Sequence, residues 1–295
     1  MRKAFIQLHT AIFLAGFTAI LGKLIGLSEG WLVFYRLGIT VLLLLLILGW
    51  RKELERLSRA DMSKAAGVGL VIAFHWVCFY GSIKYANASV ALVCLSAAGF
   101  FTALIEPVIY RRSVVWPELA LGILAIAGIY VIFDFHPQYK TGIVFGILSA
   151  LGSAVFPVFN HRLVQRIHPR TLTLYELSGG FLGMALLLPV YLQWFPGGYA
   201  VPTAPDLGWL LVLSLFCTVF SFELQLSSLK HISPFTANLS YNLEPVYGIL
   251  MAFAFFHENE HLNGYFAVGV GMILLAVLLQ MVRVMHRVKG KRSRD

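Results

Sequence analysis

An acidic residue inside a long apolar run is the first sign of chemistry in this chain: Glu244 lies within 235–256, beside Pro245 and one helical turn from Tyr241 and Tyr247. Asn238, Tyr241 and Asn242 recur at i, i+3 and i+4, which sets an amide, a phenol and a second amide along one side of a helix just before the carboxylate. In a continuous helix over 235–256, Glu244 falls near the middle, and Pro245, lacking an N–H, leaves the Tyr241 carbonyl without its donor. A free carbonyl, a carboxylate and a polar stripe can wall a solute cavity. They can equally tie one helix to its neighbours, at about 0.6 kcal/mol per contact.

A second set occupies 63–84, where His75, Cys78, Phe79 and Ser82 share one helical face and Trp76 and Tyr80 form the adjacent strip. Trp76, Phe79 and Tyr80 offer flat apolar walls to a ring or aliphatic solute, or simply pack. His75 can take up a proton near neutral pH and couple transport to a proton gradient, a role for which Glu244 is the other candidate, or serve as a neutral, hydrogen-bonded packing residue. Along 207–228, Ser214, Cys217, Ser221, Gln225 and Ser228 make a small and polar stripe suited to a close helix contact or to a cavity. Three further charges have local explanations. Arg36 attracts a carboxylate or pairs with Glu29, Glu223 snorkels or pairs with Lys230, and Glu106 neutralises Arg111 or Arg112.

Enzyme chemistry lacks its usual marks. The chain has no Gly-x-Ser-x-Gly elbow, no His-Glu-x-x-His helix and no phosphate-cradling glycine loop with a lysine. His257, Glu258, Glu260 and His261 cluster in an outer loop and have the residue types to bind a metal, but the helix that would align the two histidines ends there, and a solvated loop is the default reading. Cys78, Cys94 and Cys217 all lie in apolar stretches, with no disulfide or metal spacing. No catalytic residue, metal or cofactor is expected.

The elements that must carry these groups are membrane helices. Hydrophobic residues make up 59% of the chain and charged residues 13%, against about 25% charged in an average soluble protein. Mean hydropathy is +0.79. Ten apolar stretches follow one another at 4–25, 31–50, 63–84, 87–110, 115–133, 142–163, 171–194, 207–228, 235–256 and 262–285, each near the ~20 residues that cross a bilayer as a helix. The expected fold is all-α, an integral membrane protein of ten transmembrane helices. A charge at mid-bilayer costs about 2.5 to 3.5 kcal/mol, so the polar groups above should face protein or water.

Basic residues orient the chain. With both termini cytoplasmic, the inner side collects Arg2, Lys3, Arg51, Lys52, Arg56, Arg59, Lys64, Arg111, Arg112, Arg162, Arg166, Arg170, Lys230 and the six Lys and Arg residues from Arg283 onward. Only Lys23, Lys84, Lys140 and Arg36 remain on the outer side. The plasma (inner) membrane is the expected location. The net charge of +9 then reflects topology and attraction to anionic headgroups, and nucleic acid is not an expected partner.

The two halves echo each other weakly. Phe34-Tyr35-Arg36-Leu37 is answered by Leu174-Tyr175-Glu176-Leu177, and Gly81-Ser82-Ile83-Lys84-Tyr85 by Ser227-Ser228-Leu229-Lys230-His231. Gly122 and Gly128 find counterparts near Gly264 and Gly271. Glu106-Pro107 and Glu244-Pro245 do not belong to this pattern, being about two turns out of register. Five helices per half make the second half start on the opposite side of the membrane, which predicts two inverted five-helix repeats, 1–137 and 138–286, with a basic tail over 287–295. Pro157 and Pro189 add kinks that let one part of a bundle rock against another.

On these residues the chain resembles the drug/metabolite transporter superfamily, specifically its EamA-type ten-helix members. The resemblance runs from Ala15-Gly16-Phe17 and Gly22-Lys23 through Phe34-Tyr35-Arg36-Leu37 and Ser82-Ile83-Lys84-Tyr85-Ala86-Asn87-Ala88-Ser89. It continues through Leu243-Glu244-Pro245-Val246, Phe256-His257-Glu258 and Gly269 to Gly271. The chain departs from the family at Arg111-Arg112, where Gly-Glu is frequent. The resemblance implies export of small metabolites or amino acids, with uptake or nucleotide-sugar antiport in other branches. The expected partners are a small-molecule solute and membrane lipid, the protein acting as a monomer or a homodimer.

Overall fold

The computed structural model describes residues 2–111, 113–135, 137–195, 199–229, 240–241, 243–257 and 264–292, and every regular element among them is helical. In chain order these are α1 (Arg2–Leu24), α2 (Glu29–Arg51), α3 (Arg59–Tyr85), α4 (Ala88–Leu95), α5 (Ala98–Tyr110), α6 (Trp116–Phe135) and a 3₁₀ turn (Pro137–Tyr139). The second half holds α7 (Lys140–Leu163), α8 (Pro169–Trp194), α9 (Ala204–Ser214), a π-helical segment (Leu215–Phe220), α10 (Ser221–Leu229), α11 (Glu244–Phe256) and α12 (Gly264–Arg292). Seven spans are long and apolar enough to cross a membrane, and three shorter apolar helices, 116–131, 244–256 and 267–283, accompany them.

Local side chains start the helices where the apolar runs begin. Ser58 accepts a hydrogen bond from the Asp61 amide at 3.2 Å, Asn87 from the Val90 amide at 2.7 Å, and Thr203 and Asp206 form a reciprocal capping box ahead of α9. Lys52 and Arg111 close α2 and α5 in the left-handed conformation, placing a cation at the negative end of each helix.

Three expected helices differ in detail. The fourth is broken at Ser96 and Ala97, whose amides reach only three residues back, to the Val93 and Cys94 carbonyls at 3.1 and 3.0 Å. The eighth is interrupted by the π-helical segment. In the ninth, α11 begins at Glu244, with Leu243 at its N-cap and Pro245 in its first turn, where a missing N–H breaks no bond within α11, and Ser240 and Tyr241 just ahead of it are helical. Residues 230–239 and Asn242 lie outside the described residues.

α3 is the centre of the bundle, packed along α7 on one side and α8 on the other. α6 packs on α12, α2 on α8, and α1 on both α10 and α11. Lipid gives no hydrophobic drive to helix pairing, so association rests on close packing, and small residues permit it. A Cβ added at Gly69 would stand 1.7 Å from the Glu176 carbonyl oxygen, and one at Gly180 would stand 2.7 Å from the Gly69 carbonyl oxygen. The backbones of α3 and α8 therefore touch directly. Gly128 of α6 meets the Gly269 carbonyl of α12 in the same way, at 2.7 Å from an added Cβ.

Gly67 lies two residues from Gly69 and has open space around it. Gly69→Ala should destabilise the purified protein by about 1–3 kcal/mol through overpacking. Gly67→Ala should be neutral, or stabilising by up to about 1 kcal/mol through helix propensity. Thermal unfolding of both variants in detergent checks the contrast, and equal melting temperatures would refute the α3–α8 contact.

Candidate functional site

Arg36 is 2% exposed, although it lies seven positions, about 10 Å, beyond the first residue of α2. A guanidinium keeps its charge in a protein, so it must find acceptors wherever it is buried. Its Nη1 donates to the Tyr80 hydroxyl at 2.7 Å, and Nε and Nη2 donate to Thr218 Oγ1 at 3.2 and 3.0 Å. Thr218 in turn donates to the Leu213 carbonyl at 3.1 Å, so its hydroxyl uses both lone pairs and its proton. The guanidinium carbon also sits 3.6 Å from the centre of the Trp76 ring, which supplies a cation–π contact in place of water. Among the described residues no carboxylate comes within ion-pair distance of Arg36.

Each helix contributes for a local reason. Trp76 and Tyr80 are four apart on α3 and therefore point the same way, toward α2. Thr218 belongs to the π-helical segment, a type of distortion that concentrates at functional sites. Next to it Ser214 donates to the Arg36 carbonyl at 3.3 Å, and Ser221 donates to the Ala11 carbonyl of α1 at 3.1 Å. The small and polar stripe of the eighth apolar stretch thus acts as helix glue.

Of the residues singled out in the sequence, Trp76 and Tyr80 meet at Arg36, and Phe79 packs edge-on against Tyr80 with ring centres 5.7 Å apart. Glu244 forms no ion pair with Arg36. Tyr241 turns elsewhere, packing with Leu243 and Tyr247 on Ala4, Leu8 and Ile12 of α1. His75 faces α7, with Nδ1 at 2.8 Å from the Ser149 carbonyl and 2.9 Å from its hydroxyl. Asn238 and Asn242 lie outside the described residues, as do Glu258, Glu260, His261 and Lys230. The side chain of Glu106 is likewise outside the described part.

One expected pairing is corrected, and Glu223 has a partner that the sequence did not suggest. Arg36 does not pair with Glu29, which accepts a 2.6 Å hydrogen bond from the Tyr191 hydroxyl of α8. Glu223 is bound to Arg170, which also reaches Glu53 at 2.8 Å. These contacts belong to two sets of polar ties at opposite ends of the bundle. At one end Asp206 accepts from the Gly26 amide at 2.7 Å and from the Tyr199 hydroxyl at 2.6 Å, while Lys84 donates to the Ile25 carbonyl. The shared Asp206 hydrogen bond holds the Tyr199 phenol above its ordinary pKa. At the other end stand the Arg170 pairs and an Arg166–Asp61 contact at 3.4 Å. Thr218 and Asp206 were not singled out in the sequence. Only a hydroxyl in an apolar run, and a Thr-x-x-Asp spacing ahead of one, mark them there.

A model of the EamA-like transporter family matches this chain twice, over residues 2–134 and again over 140–282. The chain belongs to that family. It is a membrane transporter, and its apolar helices make it an integral membrane protein. An uncharacterized transporter of Archaeoglobus fulgidus is 26% identical over 260 residues, covering 83% of this chain and 84% of the relative. A second uncharacterized transporter from the same organism is 26% identical over 201 residues, covering 68% and 70%. A solved crystal structure at 15% identity superposes with a TM-score of 0.64 over 97% of this chain and 98% of that one, a likeness of fold.

In this transporter Arg36→Lys keeps the charge but loses the planar fork and the stack on Trp76. Thr218→Val removes an acceptor from a buried charge, which costs about 1.5–3 kcal/mol. Both variants should lower the melting temperature, and in the double variant the losses should sum to less than the two single losses. Strict additivity in thermal unfolding would show that the two side chains act independently.

Proposed function

We propose that this transporter moves a small metabolite or amino-acid-like solute by alternating access between two inverted five-helix repeats, and that it works as an exporter. The observation that carries this reading is the Arg36 cluster, in which a buried charge on α2 is held by α3 of the first half and by Thr218 of the second. Buried charges in a bilayer mark solute pathways, and this one lies between the matched segments 2–134 and 140–282.

The helix partners support two halves related by a two-fold axis, and five spans in each half would make them inverted. If each helix is exchanged with its counterpart five spans away, α3 on α7 and α8 becomes the pairing of α10 on α1 and α9 on α2. Likewise α1 on α11 becomes α7 on α4, and the α2–α8, α6–α12 and α4–α11 contacts map onto themselves. Ten spans follow if α4 with α5, and α9 with α10, each cross once and the three shorter apolar helices also cross. The repeats are then 1–137 and 138–286, and both termini face the cytoplasm with the basic tail.

The polar ties at the two ends supply the gates. Asp206 with Gly26, and Arg170 with Glu53, each join a residue of one matched segment to a residue of the other. Opening one set while the other stays closed exposes the centre to one side at a time. Along the proposed solute path Glu244 contributes charge and Trp76, Phe79 and Tyr80 contribute apolar wall, with Tyr241 at its border with α1; Asn238 and Asn242, the further polar candidates, lie outside the described residues.

A thermal-shift panel of amino acids, nucleosides and their toxic analogues should reveal a solute that raises the melting temperature, because a ligand bound to the folded form stabilises it. Protein reconstituted in vesicles should then move the radiolabelled compound without altering it, and recovery of a converted compound would point to an enzyme instead. Glu244→Gln should reduce that flux at least about tenfold at unchanged expression, a loss of some 1.4 kcal/mol. Normal flux in the variant across a pH series would remove Glu244 from the mechanism.

A further inference from the structure

Glu176 is a second buried charge-bearing group, remote in sequence from the Arg36 cluster and unused by the transport path described above. It is 1% exposed. It follows Pro169, the first residue of α8, by seven positions, as Arg36 follows Glu29, the first residue of α2, by seven. The two halves thus place a titratable group at the same step of corresponding helices, with opposite charge. Arg36 is fully engaged. Glu176 is not: its Oε1 has no hydrogen-bond partner, and the Oδ1 of the neighbouring Asn160 on α7 has none either. The Asn160 carboxamide is the polar group within reach of the Glu176 carboxyl.

Two buried acceptor oxygens without a donor are costly. A single proton removes the fault, since a protonated carboxyl donates one O–H and ceases to carry charge. We propose that Glu176 is the proton-binding site through which this carrier is coupled to a proton gradient. The coupling rests on the reading of the chain as a carrier, whereas the proton site can be tested without it. The proton comes from water on one side, forms an O–H bond with the carboxylate, and returns to water on the other side, with no redox change. Holding an ionised carboxylate in dry packing is expensive and holding a neutral one is not. Protonation therefore favours the tight α3–α8 contact at Gly69, whose missing Cβ lies against the Glu176 carbonyl. Loss of the proton favours a form in which water reaches the side chain.

Among the described side chains, the titratable groups on the surrounding helices are bonded elsewhere or exposed; on α7 the side chains of His161 and Arg162 lie outside the described part. α3 faces this part of α8 with Ala66, Gly69 and Ala73, none of which titrates. Farther along α3, Lys64 is exposed and His75 is bonded to Ser149. α2 faces α8 with Gly38 beside Phe181, and with Leu44 and Leu48 farther along. On α10, Glu223 is bound to Arg170. On α5, the Tyr110 hydroxyl donates to the Val158 carbonyl at 2.7 Å. Tyr175, next to Glu176, bonds the Glu55 carbonyl at 3.3 Å.

The test is pH-difference infrared spectroscopy on the purified, lipid-reconstituted protein, which needs no solute. The wild type should show a protonated-carboxyl C=O band that appears reversibly as the pH is lowered. That band should be absent from Glu176→Gln and retained in Glu244→Gln. Asn160→Leu should move it toward the higher frequency of a carboxyl without a hydrogen-bond partner, which keeps the test usable if Glu176→Gln does not fold. A band that survives in Glu176→Gln, that vanishes in Glu244→Gln, or that is unmoved in Asn160→Leu would overturn the proposal. So would a melting temperature that rises with sodium over potassium in the wild type and not in Glu176→Gln, since the site would then bind a metal cation. Absence of solute flux alongside a titrating Glu176 band would instead count against the carrier reading alone.

Discussion

Everything in this bundle is arranged around one electrostatic constraint, a guanidinium that cannot shed its charge and has been taken out of water. Removing such an ion from water costs several kcal/mol even after relaxation. The cost is offset by three acceptor contacts from two hydroxyls and by the face of Trp76, with no carboxylate touching it among the described residues. Meeting that demand requires α2, α3 and the π-helical segment to converge at one point. Their convergence fixes the orientation of the first half against the second more tightly than apolar packing could in lipid.

Close packing then holds what the charge has aligned. Where α3 crosses α8 and where α6 crosses α12, backbone rests on backbone, and glycine is the residue that allows it. The result is a rigid interior, while the polar ties that join the halves lie toward the ends. Hydrogen bonds and ion pairs at such positions can exchange with water at little cost, whereas those of Arg36 cannot. The alternating access proposed for this transporter would use this division, opening at the ends without losing the centre.

Much of the site was legible one group at a time. Trp76 and Tyr80 were recognisable because a four-residue spacing on a helix puts two aromatic rings on one side, whatever that side faces. Arg36 stood out as a charge in an apolar run. Its partner did not, because the nearest carboxylate in sequence, Glu29, was the natural guess, and it is claimed by Tyr191 from a helix more than a hundred residues away. Thr218 was hidden because its part in the site depends on a π-helical turn, which has no sequence period of its own.

The apolar helices and the membrane environment follow from the sequence alone, since the length of apolar runs and the cost of charge in hydrocarbon are properties of residues and not of contacts. Which polar groups meet is a different kind of fact. The grip of Trp76, Tyr80 and Thr218 on Arg36, the contact of α3 with α8, and the unpartnered oxygen of Glu176 exist only once helices far apart in the chain are brought side by side. Those decisions belong to the tertiary structure because a buried polar atom is satisfied or left wanting by its spatial neighbours, and helical periodicity says only which way it points.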